Sequence, residues 1–501
     1  MNIVDLQNGS DIRGIAIATE KEQVTLTEQA VRQVASGLRN WLATKGSGPF
    51  RVAVGRDSRL SGEALQEVLM AQLQQEGVAV IDCGLATTPA MFMSTQFAVF
   101  DCDAGVMLTA SHLPYYFNGI KIFSRQGGAE KTDIHYILSH TTVHEAAEKG
   151  SYQQKDLLTP YAQDLLQKIR QGMGTNEEKP LAGLKIIVDA GNGAGGFFAE
   201  KVLLPLGADT NGSQFLEPDG HFPNHIPNPD NKEAMASIRE AVLREQTDLG
   251  IIFDTDVDRS AVVTKSGEPL NRNNMIAVLS KIILAEHPGT RIVTNSPTSN
   301  HLKTFIEALG GQQVRYISGY RNVINKAIEL NEAGLDTQLA IETSGHAAFK
   351  ENFFLDDGAY VIAKLLMMLP QLQQQGTTLD ELIAALQQPA ETQELRFAIQ
   401  KDDYQDYGRQ VIKALANHLL PGWQIDPENE EGIRINLTAP YGQGWFLLRM
   451  SLHEPLLVLQ IENDEAGHLP AVVQAIGRFL SQYEAIDQSK LTQFLAQQPK
   501  I

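Results

Sequence analysis

One unit, used three times, limits what this chain can fold into. Arg51-Val-Ala-Val-Gly55, Lys185-Ile-Ile-Val-Asp189 and Arg291-Ile-Val-Thr-Asn295 each place a short apolar run after a basic residue. Each run leads through a polar loop into a helical pattern, at residues 61–75, 195–204 and 300–309. Each pattern stops at glycine (Gly77, Gly207, Gly310-Gly311), the residue that ends helices most cheaply in the left-handed conformation. Strand-like runs follow at least the first and the third. Strand, helix, glycine, strand is the βαβ signature, and it predicts largely parallel sheets with helices on both faces. The starts at 51, 185 and 291 are too far apart for a solenoid, so each unit is domain-sized.

The last part of the chain reads differently. A short helical pattern at residues 379–386 precedes a polar stretch, Gln387-Gln-Pro-Ala-Glu-Thr-Gln-Glu394, which reads as a linker. Beyond it the periodicity predicts a helix near 403–418, strands near 432–437, 444–450 and 455–461, and a helix near 469–483. Consecutive strands bracketed by helices point to an α+β domain with an antiparallel sheet. The expected division is therefore three related mixed or parallel-sheet α/β domains (1–150, 151–266 and 267–386) and a C-terminal α+β domain (387–501). Near the N-terminus, Ser10-Asp-Ile-Arg-Gly14 reads as a polar turn carrying Arg13, and Thr25-Leu-Thr-Glu28 as a capping box for a helix reaching about Lys45. That helix would bury Val31, Val34, Leu38 and Leu42.

A length of 501 residues with 43% hydrophobic and 20% charged residues suits a multi-domain globular protein. A net charge of −19 argues against nucleic acid as the partner, since phosphate backbones call for a basic face. Small phosphates remain open to it, because they need only a local cluster of Arg and Lys. Two cysteines, Cys83 and Cys102, exclude a disulfide framework or a thiolate zinc cage. With no basic-then-apolar start and no apolar run near ~18 residues, the expectation is a cytoplasmic protein without a membrane partner.

Four stretches carry chemistry. Residues 106–108 read as the end of a buried strand that stops at Thr109-Ala-Ser111-His112-Leu113-Pro114, with Asn118-Gly119 and Lys121 close behind. A hydroxyl between a potential base, His112, and a cation is a candidate nucleophile or phosphate carrier. Asp254-Thr-Asp256-Val-Asp258-Arg259 follows an apolar strand at 249–253, and its alternating carboxylates suit a hard cation. An EF-hand would need glycine and glutamate at the sixth and twelfth positions, where Arg259 and Lys265 stand, so Mg2+ is the better reading. Glu342-Thr-Ser344-Gly-His346, with Asp356-Asp357-Gly358 beyond it, suits binding of sugar hydroxyls. Arg449-Met-Ser451-Leu-His453 ends a strand with several donors for a phosphate dianion. Gly191-Asn-Gly193-Ala-Gly195-Gly196 also matches a dinucleotide fingerprint, but no second nucleotide half is evident. Tight strand–helix packing explains those glycines as well.

In their shared order these stretches, with Gly55-Arg56-Asp57, Pro218-Asp219-Gly220 and Pro223-Asn224-His225, resemble the α-D-phosphohexomutase family, the phosphoglucomutases and phosphomannomutases. The resemblance spans essentially the whole chain. It implies four domains around a central cleft, and a phosphoserine at Ser111 beside a Mg2+ ion held by Ser111, Asp254, Asp256 and Asp258. It further implies Lys121 and His346 for acid–base work, with Arg13, Arg259 and His112 beside the moving phosphoryl group. Glu342 and Ser344 would meet sugar hydroxyls next to a loop at Gly319, Tyr320 and Arg321, while Arg449, Ser451 and His453 would clamp the distal phosphate. The implied activity interconverts hexose 1- and 6-phosphates of glucose, mannose or both through a hexose 1,6-bisphosphate, which also serves as activator. The implied partners are small sugar phosphates, with the chain a monomer or small homo-oligomer. A phosphoglucosamine or other sugar-phosphate mutase is the alternative, and a non-catalytic sugar-phosphate-binding protein a further one. The family pattern has glycine where Thr255 stands, asparagine at Leu113, Asn-Thr at Leu452-His453, and in some relatives histidine after the glycine at 319.

Overall fold

The computed structural model describes residues 2–452 and 454–497. Contacts divide the chain into two compact units: residues 1–279 with 344–383, and residues 280–343 with 384–501.

The first unit holds two sheets. In the larger, the strand Arg51–Arg56 lies between Ala79–Leu85 and Ala104–Leu108, parallel to both. The strand Phe117–Ser124 then adds antiparallel to Ala104–Leu108, and Asp11–Ile15 antiparallel to Phe117–Ser124. The sheet is thus mixed. Its core is built where the helix Glu28–Lys45 lays Val31, Val34 and Leu38 against Val52, Val54 and Val106. The smaller sheet sets Ile186–Asp189 parallel to Leu249–Phe253, with Ser260–Thr264 antiparallel on its far side. The helix Lys232–Glu245, capped by the Asn231 side chain, covers it with Ile238 and Val242. A hairpin of Ala347–Phe349 and Leu355–Asp356 and the helix Gly358–Gln375 complete the unit.

The second unit begins with Arg291–Asn295, parallel to Gln312–Tyr316 on one side and Thr337–Ile341 on the other. Its remainder is an antiparallel sheet of five strands in the order Glu391–Ala398, Leu456–Asn463, Gly444–Met450, Ile433–Leu437, Trp423–Ile425. The helices Tyr404–Leu415 and Leu469–Leu480 bury Val411, Val472, Ile476 and Phe479 in its core.

Three α/β regions and one antiparallel α+β region are present, as the sequence pattern implies; five local expectations need correction. Arg13 does not sit in a turn: its backbone is strand, paired with Gly119. The helix cap is Thr27, whose hydroxyl accepts from Ala30 N at 3.1 Å, while Thr25 Oγ1 accepts from Ile15 N at 2.8 Å. The second helical pattern survives as a short π-helical turn, Ala199–Leu203, and the glycines before it lie close against other backbone. A Cβ on Gly196 would lie 2.5 Å from Leu216 O, and one on Gly193 2.6 Å from Thr255 O. The linker at 387–394 is strand from Glu391 onward, and the helical pattern before it survives only as the 3-10 turn Glu381–Ile383. Polar side chains mark an edge strand as readily as a linker. No helix among the described residues is long and apolar enough to cross a membrane.

Candidate active site

Two loops of the first unit meet at strand ends. The strand Ala104–Leu108 is buried throughout and delivers Thr109, Ala110 and Ser111 to its C-terminal end. Ser111 has φ 51°, a left-handed conformation that a residue with a side chain adopts only when its surroundings hold it there. The strand Leu249–Phe253, also buried throughout, delivers Asp254–Arg259. Within that loop Val257 is at φ 67°, an outlier for a β-branched residue, and its carbonyl accepts from Gly358 N at 3.0 Å. The start of the helix Gly358–Gln375 is so close that a Cβ on Gly358 would lie 2.7 Å from Arg259 C.

Side chains from these loops converge. Ser111 Oγ donates to Asp254 Oδ2 at 3.1 Å and accepts from Arg259 Nη2 at 3.0 Å. The same Nη2 donates to His112 Nδ1 at 2.7 Å, and Arg259 Nε donates to Asp254 Oδ2 at 3.0 Å. Lys121 reaches across from the neighbouring strand to pair with Asp258 and, at 3.3 Å, with Asp256. Thr88 Oγ1 donates to the same Asp256 oxygen, Oδ2. A backbone bridge between Arg259 and His346 brings His346 beside the loop, where its Nδ1 faces Asp356 Oδ2 at 2.5 Å. Arg13 is paired with Asp11 at 2.9 Å, and its charge is felt at His112.

The electrostatics follow from burial. Asp254 is raised well above the usual carboxylate range by desolvation and by the charges of Asp258 and Asp256, against the pull of Arg259. Burial alone would raise Asp258 too, but Lys121, His346 and Arg259 outweigh it and hold it far below. His112 is pushed down to about 2, first by burial and then by the cations Arg259 and Arg13, so it is a neutral acceptor. His346 is raised despite its burial, because Asp356 and Asp258 favour the imidazolium.

Asp254, Asp256 and Asp258 each offer an oxygen within 4.8 Å of the others. Asp256 Oδ1 and Asp258 Oδ1 are buried and accept no hydrogen bond among the described residues. Buried carboxylate oxygens without donors fit a hard cation, which takes oxygen ligands. The Thr255 hydroxyl is likewise buried without a hydrogen-bond partner among the described residues.

The second unit collects part of the sugar and phosphate residues. Gly319, at φ 118°, opens the helix Tyr320–Glu332, and its N–H donates to Glu342 Oε1 at 2.7 Å. Glu431 accepts from Ser318 N at 3.2 Å, from Ser318 Oγ at 2.7 Å and from Ser296 Oγ. Its other oxygen lies 3.7 Å from Arg449 Nη1. Gly319, Glu342 and Arg449 are thus joined through Ser318 and Glu431. Arg321 donates to Asn325 Oδ1 at 3.1 Å, and Ser451 N donates to Leu456 O at 2.9 Å. Ser344 belongs to the first unit, with His346. His453 lies outside the described residues.

Sequence reasoning missed Arg59, Thr88, Asn228 and Glu431. Arg59 stands two residues beyond Asp57 and is only 2% exposed; Asn228 Oδ1 accepts from Arg259 Nη1 at 3.3 Å. Nothing in the local sequence pattern singles these residues out.

Family models described as phosphoglucomutase/phosphomannomutase, alpha/beta/alpha domains I, II and III, match residues 5–147, 159–267 and 271–390. The chain is 30% identical over 490 residues to a phosphoglucomutase of Neisseria gonorrhoeae, covering 97% of both chains. It is 31% identical over 440 residues to a phosphomannomutase/phosphoglucomutase of Pseudomonas aeruginosa, covering 87% of this chain and 88% of that one. Among solved structures, a phosphoglucomutase/phosphomannomutase family protein of Burkholderia thailandensis superposes with a TM-score of 0.78 at 26% identity, over 97% of this chain and 98% of that one.

Proposed function

Because the chain belongs to the phosphoglucomutase/phosphomannomutase family, whose members are intramolecular phosphotransferases, we propose that it interconverts hexose 1-phosphates and hexose 6-phosphates of glucose, mannose or both. Ser111 carries the phosphoryl group and a hexose 1,6-bisphosphate is the intermediate and activator. The observation that carries this reading is the position of Ser111 Oγ, 3.1 Å from Asp254 Oδ2 and 3.0 Å from Arg259 Nη2. Phosphoryl transfer asks mostly for alignment and for neutralisation of charge on the moving group.

In the forward half-cycle the P–O bond to Ser111 Oγ breaks and a bond to the C6 hydroxyl oxygen of a hexose 1-phosphate forms. Lys121 and His346, the latter with its Nδ1 turned to Asp356, are the candidates for moving the proton that leaves the hydroxyl, and Ser111 Oγ takes up a proton as its bond to phosphorus breaks. In the return half-cycle the P–O bond to the C1 oxygen breaks and that oxygen takes up a proton, while the phosphoryl group bonds to Ser111 Oγ, whose hydroxyl proton is given up. Arg259 and Arg13 meet the charge on the transferring group, and His112, neutral, keeps Arg259 aimed at Ser111. Asp254, Asp256 and Asp258, with Ser111, would hold Mg2+, which when bound supplies positive charge to the phosphoryl oxygens.

Glu342 and Ser344 read the sugar hydroxyls, with Gly319, Tyr320 and Arg321 shaping the loop beside them, and Arg449, Ser451 and His453 hold the phosphate that is not reacting. With domains divided at 150, 266 and 386, the serine, metal, sugar and phosphate loops would fall one to each domain. The enzyme acts on small sugar phosphates in the cytoplasm, as a monomer or small homo-oligomer.

The test is a coupled assay with glucose 1-phosphate, Mg2+ and catalytic glucose 1,6-bisphosphate, repeated with mannose 1-phosphate. Turnover abolished both by EDTA and by Ser111→Ala is expected. Turnover only on an aminosugar phosphate would move the substrate to that class, and binding without turnover on any of them would make the chain a sugar-phosphate-binding protein.

A further inference from the structure

We propose that Arg59 is a positioning residue, which with Thr109 and Asp57 fixes the peptide groups on both sides of Ser111 and so aims its hydroxyl at Asp254 and Arg259. The proposal rests on the reading of Ser111 as phosphoryl carrier.

A full positive charge at 2% exposure needs a reason, since arginine is seldom buried unless it is paired. Burial draws its pKa below the usual guanidinium range, and Asp57 opposes that shift. Yet the ion pair is the looser part of its surroundings, with Nε 3.4 Å from Asp57 Oδ2. The remaining donors go to backbone carbonyls of one loop. Nη1 donates to Pro114 O at 2.9 Å and Phe117 O at 3.0 Å; Nη2 donates to Leu113 O at 2.7 Å and to Ser111 O. Four carbonyls within seven residues are drawn onto one planar group, whose fork geometry leaves the loop little freedom.

The other side of Ser111 is tied to the same pair. Ser111 N donates to Thr109 Oγ1 at 2.9 Å, and that hydroxyl donates to Asp57 Oδ2 at 2.6 Å. Asp57 in turn accepts from Arg59 N at 2.9 Å. Both the amide and the carbonyl of Ser111 therefore end on the Asp57–Arg59 turn. This accounts for the left-handed φ of 51° at Ser111, which its surroundings must impose.

The turn is itself gripped from the region that bears the aspartates. A Cβ on Gly220 would lie 2.5 Å from Leu60 N and Ser58 O, and the Phe222 ring centroid is 5.3 Å from the Arg59 guanidinium carbon. One short turn thus registers the serine loop against the part of the chain that carries Asp254. Water or a second turn would satisfy four carbonyls; a rigid cation satisfies them in one geometry only, which is what a transfer reaction requires.

The experiment compares Arg59→Lys, Thr109→Val and Thr109→Ser with the wild-type chain, by steady-state kinetics on glucose 1-phosphate and by amide hydrogen exchange of residues 109–117. Lysine keeps the charge but cannot span four carbonyls, and valine keeps the shape of threonine without its hydroxyl. For Arg59→Lys and Thr109→Val we expect kcat to fall ~100-fold, the scale of a misplacement of about 1 Å, with KM changed less than about threefold. Faster exchange at Ser111 and the residues after it accompanies the loss, and Thr109→Ser restores both. Wild-type kcat in the two variants overturns the proposal, as does a rise in KM at unchanged kcat. If Arg59→Lys fails to fold, the Thr109 pair decides by the same criteria. If the wild-type chain turns over no hexose phosphate, the mutase reading fails separately, and exchange alone decides here: faster exchange supports the positioning role and unchanged exchange overturns it.

Discussion

Asp254, Asp256 and Asp258 share one buried volume, and Lys121 and Arg259 answer only part of their mutual repulsion. Asp254 carries the uncompensated share, being raised well above its usual range by burial and by its two neighbours. A divalent cation would relieve it. We therefore expect Mg2+ to raise the melting temperature of the wild-type chain, by an amount worth ~2.7 kcal/mol at about 100 times its dissociation constant. Asp254→Asn should abolish that shift while leaving the metal-free protein folded; an equal Mg2+ shift in the variant would contradict the assignment. His225 lies elsewhere in the same unit, with Nε2 3.0 Å from both Asp189 oxygens. Burial lowers its pKa, but the bond to Asp189 and the charge of Asp189 raise it further, and the net direction is upward. A histidine raised in the fold contributes stability that is complete below its unfolded value of 6.5 and is lost as pH rises through the folded value. Replacing it by glutamine should therefore cost more in urea midpoint at about pH 6 than at about pH 9. Equal costs at both would remove the pair from the account.

At the scale of elements, strands such as Leu249–Phe253 and Gly444–Met450 were legible because a short apolar run bounded by polar or glycine residues has few other ways to be buried. Edges and ends were less so. The polar stretch 387–394 reads as linker although its second half begins the strand Glu391–Ala398, an edge strand facing Leu456–Asn463 on one side only. Thr25 and Thr27 both precede Glu28, and sequence cannot decide between them; the tertiary bond from Ile15 N to Thr25 does. The glycine run at 191–196 matched a nucleotide fingerprint for a reason that only contact distances expose: it lets the chain lie against Thr255 and Leu216. Gly193→Ala places a methyl group 2.6 Å from Thr255 O, inside the loop that carries the aspartates. It should lower stability by ~1–3 kcal/mol and weaken Mg2+ binding together, measured by chemical denaturation and by titration of the metal. A loss of stability with metal affinity unchanged would mean that the run only packs a core and does not support the loop.

For the whole molecule, two compact units with separate cores make a single unfolding transition unexpected. The three aspartates and Ser111 all belong to the first unit, so calorimetry should show Mg2+ raising one transition and leaving the other in place. Two transitions moving in step would mean that the units unfold as one. The candidate site was legible as motifs in order along the chain, since Ser111, Asp254, Asp256, Asp258, Glu342 and Arg449 each sit in a distinctive local pattern. Arg59 and Glu431 were not legible, because each acts through backbone groups and hydroxyls that become its partners only when distant segments meet. The central claim is that Ser111 carries the phosphoryl group, and the most direct measurement of it is to incubate the protein with phosphate-labelled glucose 1,6-bisphosphate and map the label by proteolysis and mass spectrometry. The account predicts one phosphoryl group, on Ser111, that is lost to excess unlabelled hexose monophosphate. Label on another residue, or turnover with Ser111 never labelled, would contradict it.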